Sequence, residues 1–446
     1  MDTVDLARAL FGSSMAFHII FSTLGVGIPA MIVVAELLYH VKKDSDYSLM
    51  AQRWTRGLAI LLGVAIPSGT IVGVMLTLLW PGFMEYVGEV IALPFQIELW
   101  AFFLEALFLS IYVYAADRLP PVMRIVSVAF VAFGAVASAV LITDAHSWMN
   151  TPRGFSVVND QITDVNPLAA VFNPSVWTTT NHVVTSAYMT GAFTIASVAA
   201  YKMLSRRLSE REFAYHGKGL FMSLLIGGVM AVLTAVDGHS TAQMLHHHQP
   251  EKLAGAEGLF ETTAYAPLVI FGTVDPEIQG VRGGLELPWA LSFLATNRFS
   301  GVVRGLNEFP PENWPPLYIH TLFDTMVMIG SILIVMGFVP LAYRMWFKKP
   351  YPRWMTMALV TAGPLSMLGI ETGWIFSCTG RQPWTIYHVQ RTAEAATRAG
   401  GLGALLVMFV SIYVILLVTT AVVMRHYFNR HPVGPELTQD GSVSSR

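Results

Sequence analysis

The sequence predicts an all-α fold: a polytopic transmembrane helix bundle of nine spanning helices, with the N-terminus outside and the C-terminus cytoplasmic. Three observations carry that prediction. The 446 residues are 54% hydrophobic and only 13% charged, with a mean hydropathy of +0.54, against roughly 25% charged in an average soluble domain. Apolar runs long enough to span a bilayer recur nine times. Basic residues gather in alternate connections, as the preference for cytoplasmic Lys and Arg requires. A net charge of −2 gives no sign of a nucleic-acid partner, and none is expected. The single cysteine, Cys378, excludes an internal disulfide framework.

In chain order the predicted spans are residues 17–38, 58–79, 94–115, 125–143, 179–203, 219–236, 317–341, 355–376 and 402–424. The segment before them holds Asp2, Asp5 and Arg8 and lacks the basic-then-apolar layout of a cleavable signal peptide. One set of connections collects Lys42, Lys43, Arg53 and Arg56; Arg118 and Arg124; Lys202, Arg206, Arg207, Arg211 and Lys218; Arg344, Lys348, Lys349 and Arg353; and Arg425, Arg430 and Arg446. That makes eighteen of the 27 basic residues, and an odd number of spans agrees with the orientation they dictate. Residues 1–446 therefore read as one integral-membrane domain without internal repeats.

Two outer connections are long, 144–177 and 237–316, and loops of such length are functional or disordered. The second carries apolar pieces at 265–271 and 287–294 able to dock on the bundle, and the run His246-His247-His248. Without carboxylate or cysteine partners nearby, that run reads as a solvated loop tip. The polar stretch 431–446 reads as a disordered cytoplasmic tail.

Within the third span, Ile97-Glu98-Leu99-Trp100-Ala101-Phe102-Phe103-Leu104-Glu105 places two carboxylates seven residues apart. At 3.6 residues per turn they share a helix face, roughly 10 Å apart along the axis. Each costs about 3 kcal/mol at membrane depth, so the pair points to a proton relay, a metal or a counter-ion unless neighbouring helices hydrogen-bond both acids in protonated form. His18 opens the first span from outside, His182 the fifth, Met326 lies two turns into the seventh, and Glu371 closes the eighth after Pro364. Singly, each histidine reads as interfacial and Met326 as core. Together with Glu98 and Glu105 they occupy the outer half of the membrane, and imidazole, thioether and carboxylate are heme-iron ligands. Glu36 and Asp117, at inner ends, read as solvated.

At these residues the chain resembles subunit I of the cytochrome bd-type quinol oxidases. The resemblance runs through Met15-Ala16-Phe17-His18, the Glu98 to Glu105 segment, Ser147-Trp148-Met149-Asn150-Thr151-Pro152, His182 with Tyr188-Met189-Thr190-Gly191-Ala192, Lys252-Leu253-Ala254-Gly255-Ala256-Glu257, Glu371-Thr372-Gly373-Trp374, and Gly380-Arg381-Gln382-Pro383-Trp384. It implies a non-pumping terminal oxidase that oxidises membrane quinol at the outer face and reduces dioxygen to water with cytoplasmic protons. It also implies a low-spin heme b, a high-spin heme b, and a heme d or a further heme b in its place. Residue by residue, His182 and Met326 match the axial ligands of the low-spin heme. His18 and Glu371 match those of the high-spin pair, in an order that differs between members, with Glu98 and Trp374 beside them. Glu105 matches a proton-passing carboxylate. Lys252 and Glu257 match residues of quinol oxidation, which makes 237–316 the outer quinol loop, and Arg381 of the Gly380 to Trp384 motif is a further catalytic candidate. The implied partners are subunit II of the oxidase, a very small third subunit, lipids and the quinol itself, and the implied location is the bacterial cytoplasmic membrane.

Three features depart from the family pattern: the quinol loop is short, Asp324 stands where some members carry arginine, and His146 stands where others carry a neutral amide. Competing readings are a proton-coupled secondary transporter using the buried acids, for which repeat symmetry is absent, and an oxidase variant with heme b alone. A bc-type cytochrome b needs four paired intramembrane histidines that the sequence lacks.

Overall fold

The computed structural model describes residues 2–115, 118–159, 161–205 and 208–443. Asp117, Arg206, Arg207 and Arg446, used above, lie outside the described residues. The helices are α1 (Thr3–Lys42), α2 (Ser45–Leu79), α3 (Pro81–Val90), α4 (Ala92–Ala115), α5 (Pro121–Asn150), α6 (Pro167–Val171), α7 (Val176–Met203), α8 (Glu210–His248), α9 (Pro250–Glu257), α10 (Ala290–Thr296), α11 (Ile319–Phe347), α12 (Arg353–Val360), α13 (Ala362–Thr379), α14 (Thr392–Ala395), α15 (Leu402–Arg430) and α16 (Val433–Val443). Among the described residues, nine helical segments are long and apolar enough to cross a membrane, the number the sequence predicts.

Helix starts follow local chemistry. Asp2 caps α1 by accepting from the Asp5 N–H at 2.7 Å, and Ser209 with Glu212 forms a capping box at the start of α8. α1 and α7 lie at the centre of the bundle, whereas α4 and α15 are mostly exposed on its periphery. The two central helices cross at Gly27 and Gly191, where a Cβ on Gly27 would come 2.3 Å from the Ala187 carbonyl oxygen, so only glycine permits the approach. Around Pro364 the eighth span breaks into α12 and α13 at Thr361. Proline cannot donate to the carbonyl four residues back, that of Val360, and the Ser197 hydroxyl of α7 donates to it instead.

We call the two ends of the bundle the basic end, where Lys42 and Arg344 terminate their helices, and the loop end. At the loop end the connections begin later than predicted, because α5 continues to Asn150 and α8 to His248. A hydropathy window stops at the first polar residues, but here those residues are packed. Asp144 and Ser147 are buried, and Asn173 Nδ2 donates to Asp144 Oδ1 at 3.1 Å. The histidine run therefore forms the last turn of α8 rather than a loop tip. Beyond it, residues 249–318 carry α9, α10 and short antiparallel ribbons, among them Leu268–Ile270 with Leu285–Leu287 and Thr273–Asp275 with Gly280–Arg282. Ala266, Leu291 and Ala295 are buried against Leu245, Ile319 and Phe376, so the apolar pieces of the loop do dock on the bundle.

Two other expectations are corrected. The disordered tail is a helix over Val433–Val443, held because Val433 and Leu437 are buried and Glu436 pairs with Arg53 at 3.1 Å and Arg56 at 3.2 Å. Glu36 is not solvated: it is 1% exposed and paired with Arg124 and Tyr112.

Candidate functional site

α4 and α5 run antiparallel and in close register. Ser138 donates to Glu98 Oε1 at 2.6 Å, and Gly134 lies against Glu105, where a Cβ would come 2.9 Å from the Glu105 backbone nitrogen. Glu105 is buried and its Oε1 has no hydrogen-bond partner among the described residues.

His18 lies further into α1 than the first apolar run suggested. Fifteen residues precede it in the helix, because the early turn carrying Ala7 and Leu10 is buried against Trp80, Phe83 and Ile386. Ser68 gives its proton to the Ala65 carbonyl at 2.9 Å and lies 2.9 Å from His18 Nδ1. With the serine proton so used, Nδ1–H is the donor to Ser68, and Nε2 keeps its lone pair free. The ring rests on Gly69, where a Cβ would approach Cε1 at 3.0 Å.

His182, near the start of α7, has a buried Nδ1 without a hydrogen-bond partner among the described residues and faces Gly238 of α8. Met326 of α11 turns its sulfur to α13, where a Cβ on Gly373 would lie 2.9 Å away. Two residues earlier Glu371 has a buried Oε1 without a hydrogen-bond partner among the described residues. It lies two turns inside α13 rather than at its end. α13 packs on both α7 and α11, so the helix of Glu371 joins those of His182 and Met326. From α5, His146 reaches the same helix, its Nε2 2.8 Å from Ser377 Oγ and its ring edge-on to Trp374 at 5.3 Å.

The loop-end residues form a second group. Every residue of 251–257 is buried. Lys252 Nζ donates to the Ser377 carbonyl at 2.9 Å, and its stem needs Gly380, where a Cβ would meet Cε at 2.8 Å. Arg381 donates to Asn150 Oδ1 at 3.1 Å. Burial, and after it the charge of Arg381, pulls the Lys252 amine down from 10.5 to about 7. Burial pushes the Glu257 carboxyl well above its usual range, with Asp324 adding to the effect, and neither Glu257 oxygen has a hydrogen-bond partner among the described residues. Asp324 accepts from the Phe271 N–H at 2.7 Å, tying the loop to α11 beside Met326. On the outer side of α9, Glu251 accepts from the Tyr387 hydroxyl and lies 3.1 Å from His388, lining a cavity of about 410 Å³ with His248 and Arg304.

Sequence reasoning missed Glu251 with Tyr387 and His388, Ser138, and the Glu36 group. Tyr112 was within reach, since it repeats the Glu98 to Glu105 interval once more.

The chain matches the family model for cytochrome bd terminal oxidase subunit I over residues 6–432. It is 57% identical over 438 residues to the putative cytochrome bd menaquinol oxidase subunit I of Bacillus subtilis (strain 168), covering 98% of this chain and 99% of that protein. It is 29% identical over 451 residues to cytochrome bd ubiquinol oxidase subunit 1 of the same organism, with 98% and 95% covered. The bd oxidase structure from Geobacillus thermodenitrificans superposes with a TM-score of 0.91 at 41% identity, covering 97% of this chain and 99% of that one.

Proposed function

Because the chain belongs to the cytochrome bd terminal oxidase subunit I family and is thereby a heme-bearing membrane subunit of a respiratory quinol oxidase, we propose the following division of labour among its residues. His182 and Met326 hold a low-spin heme b, and His18 and Glu371 hold a high-spin pair of heme b with heme d or a further heme b, beside Glu98 and Trp374. The observation that carries this reading is the set of buried polar atoms without a hydrogen-bond partner among the described residues: His182 Nδ1, Glu371 Oε1 and Glu105 Oε1. Such groups are costly in a bilayer unless something else binds them, and the donor set is that of heme iron. When bound, the hemes supply electron transfer from the quinol and reduction of dioxygen to water.

The protein supplies binding and proton handling. Lys252 Nζ, uncharged in large part near neutral pH, accepts a proton from a quinol hydroxyl, and the protonated Glu257 carboxyl hydrogen-bonds the ring oxygen. Arg381, fixed on Asn150, keeps the charge balance beside Lys252. Released protons leave through the cavity at Glu251 and His388. Glu105 delivers protons from the basic end, which is cytoplasmic by its Lys and Arg content. Charge separation then follows from the opposite placement of the two proton sites, without pumping. The relative at 57% identity makes a menaquinol the first substrate to test. A second subunit, with a very small third one, completes the oxidase in the bacterial cytoplasmic membrane.

The family assignment leaves the transporter and bc-type readings without support. The test is spectroscopic. His182→Ala and Met326→Leu each remove the low-spin heme signal from the purified oxidase while the high-spin signals persist, and an unaltered low-spin spectrum in both refutes the ligand assignment. A far-red chlorin band in the reduced protein separates heme d from heme b alone.

A further inference from the structure

α4 packs chiefly on α5 at the edge of the bundle, and its buried residues are Pro94, Glu105 and Tyr112. Its apolar side chains Leu99, Trp100, Phe103 and Leu107 are exposed. Tyr112 stands seven residues beyond Glu105, as Glu105 stands beyond Glu98, so the three share one stripe at steps of about 10 Å. α5 follows that stripe in antiparallel register: Ser138 at Glu98, Gly134 at Glu105 and Arg124 at the far end. There the Tyr112 hydroxyl donates to Glu36 Oε1 of α1, and Arg124 donates to the same oxygen at 2.5 Å. Arg124 also reaches Ser48 of α2 at 3.2 Å, and its guanidinium lies over the Tyr39 ring. Glu36 is 1% exposed, whereas the Arg124 side chain, at 12%, opens toward the basic end.

We infer that Glu36 and Tyr112 form the entrance segment of the proton route that feeds Glu105. The inference rests on the proposed role of Glu105. A plain latch between helices is a poor account of the cluster, since burying an ion pair stabilises little beyond what apolar packing achieves, and a tyrosine aligned with two functional carboxylates has no part in it. Glu36 takes a proton from water at the basic end, and Arg124 favours its return to the anion. Once Glu36 is protonated, the Tyr112 hydroxyl turns from Glu36 toward water between it and Glu105, accepts the Glu36 proton on its oxygen and gives its own to that water, so one O–H bond forms and one breaks at each station. No electrons move. Glu105 receives that proton at its unpartnered oxygen and passes its own toward Glu98.

The experiment uses the complete oxidase with its second subunit in lipid nanodiscs. Tyr112→Phe, Glu36→Gln and Glu105→Gln are compared for proton uptake when the quinol-reduced enzyme meets oxygen, and for steady-state oxygen consumption with a short-chain menaquinol. Tyr112→Phe, which keeps the ring and its packing, lowers the proton-uptake rate about tenfold and raises the solvent isotope effect, with heme content and quinol KM unchanged. Glu36→Gln does the same. Uptake by Tyr112→Phe within twofold of the parent, with a parental isotope effect, overturns the inference while slowed Glu105→Gln leaves the role of Glu105 standing. Unslowed Glu105→Gln overturns both. Lost heme or lowered thermal stability in Tyr112→Phe, without a change in isotope effect, assigns the cluster to structure and overturns the inference.

Discussion

Replacing Lys252 by methionine should make the protein more stable and far less active. The amine is 4% exposed, and its drop from 10.5 to about 7 corresponds to about 5 kcal/mol against the charged form. The unfolded chain keeps its proton up to about 10.5, and the folded chain loses it near 7. The penalty is therefore complete below pH 7 and fades as pH rises from there. Methionine has a similar length and no charge, so Lys252→Met removes that penalty and forfeits one hydrogen bond to the Ser377 carbonyl, worth about 2 kcal/mol. A net gain of about 2 to 3 kcal/mol is expected at pH 6, shrinking by pH 9. Quinol-dependent turnover, deprived of its proton acceptor, falls about a hundredfold. The assay is thermal unfolding of the purified oxidase at several pH values alongside oxygen uptake with menaquinol. A midpoint that drops equally at pH 6 and pH 9 refutes the account of burial, and undiminished quinol oxidation refutes the role.

Glu257→Gln mimics a carboxyl that burial keeps protonated. Its raised pKa means the parent loses stability as pH rises above the unfolded value of about 4.3, so the variant should show a flatter pH profile of thermal midpoints and slower quinol oxidation at all pH values. Gly27→Val forces a Cβ to 2.3 Å from the Ala187 carbonyl, and because the obstacle is backbone it should cost about 3 kcal/mol or more and abolish recovery of heme-loaded protein from membranes. Glu436→Ala breaks the pairs with Arg53 and Arg56 but leaves Val433 and Leu437 in place. A loss of no more than about 1 kcal/mol in thermal stability, with unchanged turnover, is the expected reading.

The bundle itself was legible, since long apolar runs and basic connections are physical requirements of spanning a bilayer. The ends of its helices were not. Asp144, His146 and Asn150 look like loop to a hydropathy window, yet α5 carries them into the protein, where Asn173, Ser377 and Arg381 take up their polar atoms. The same blindness hid Glu36: a lone acid near the end of an apolar run reads as solvated until Arg124, 88 residues away, is brought to it. At the candidate site, the depth of each proposed donor was legible, but the glycines packed against His18 and Met326, Gly69 and Gly373, belong to other helices and leave no local trace.

How a buried charge is satisfied separates the two kinds of polar group in this bundle. At the basic end Asp46 is held by Arg211 and Lys218, Glu36 by Arg124, and Glu436 by Arg53 and Arg56, so each of these acids has its cation. Glu105, Glu371 and Glu257 are different: among the described residues Oε1 of Glu105, Oε1 of Glu371 and both oxygens of Glu257 are buried without a hydrogen-bond partner. A carboxyl left so in a membrane protein destabilises the fold unless a bound group or a passing proton occupies it. These three acids lie on α4, α13 and α9, along the path from mid-bundle to the loop end. Under the proposed function, that ordering gives a direction to chemistry in an otherwise apolar scaffold, with protons entering among paired charges and reacting among unpaired ones.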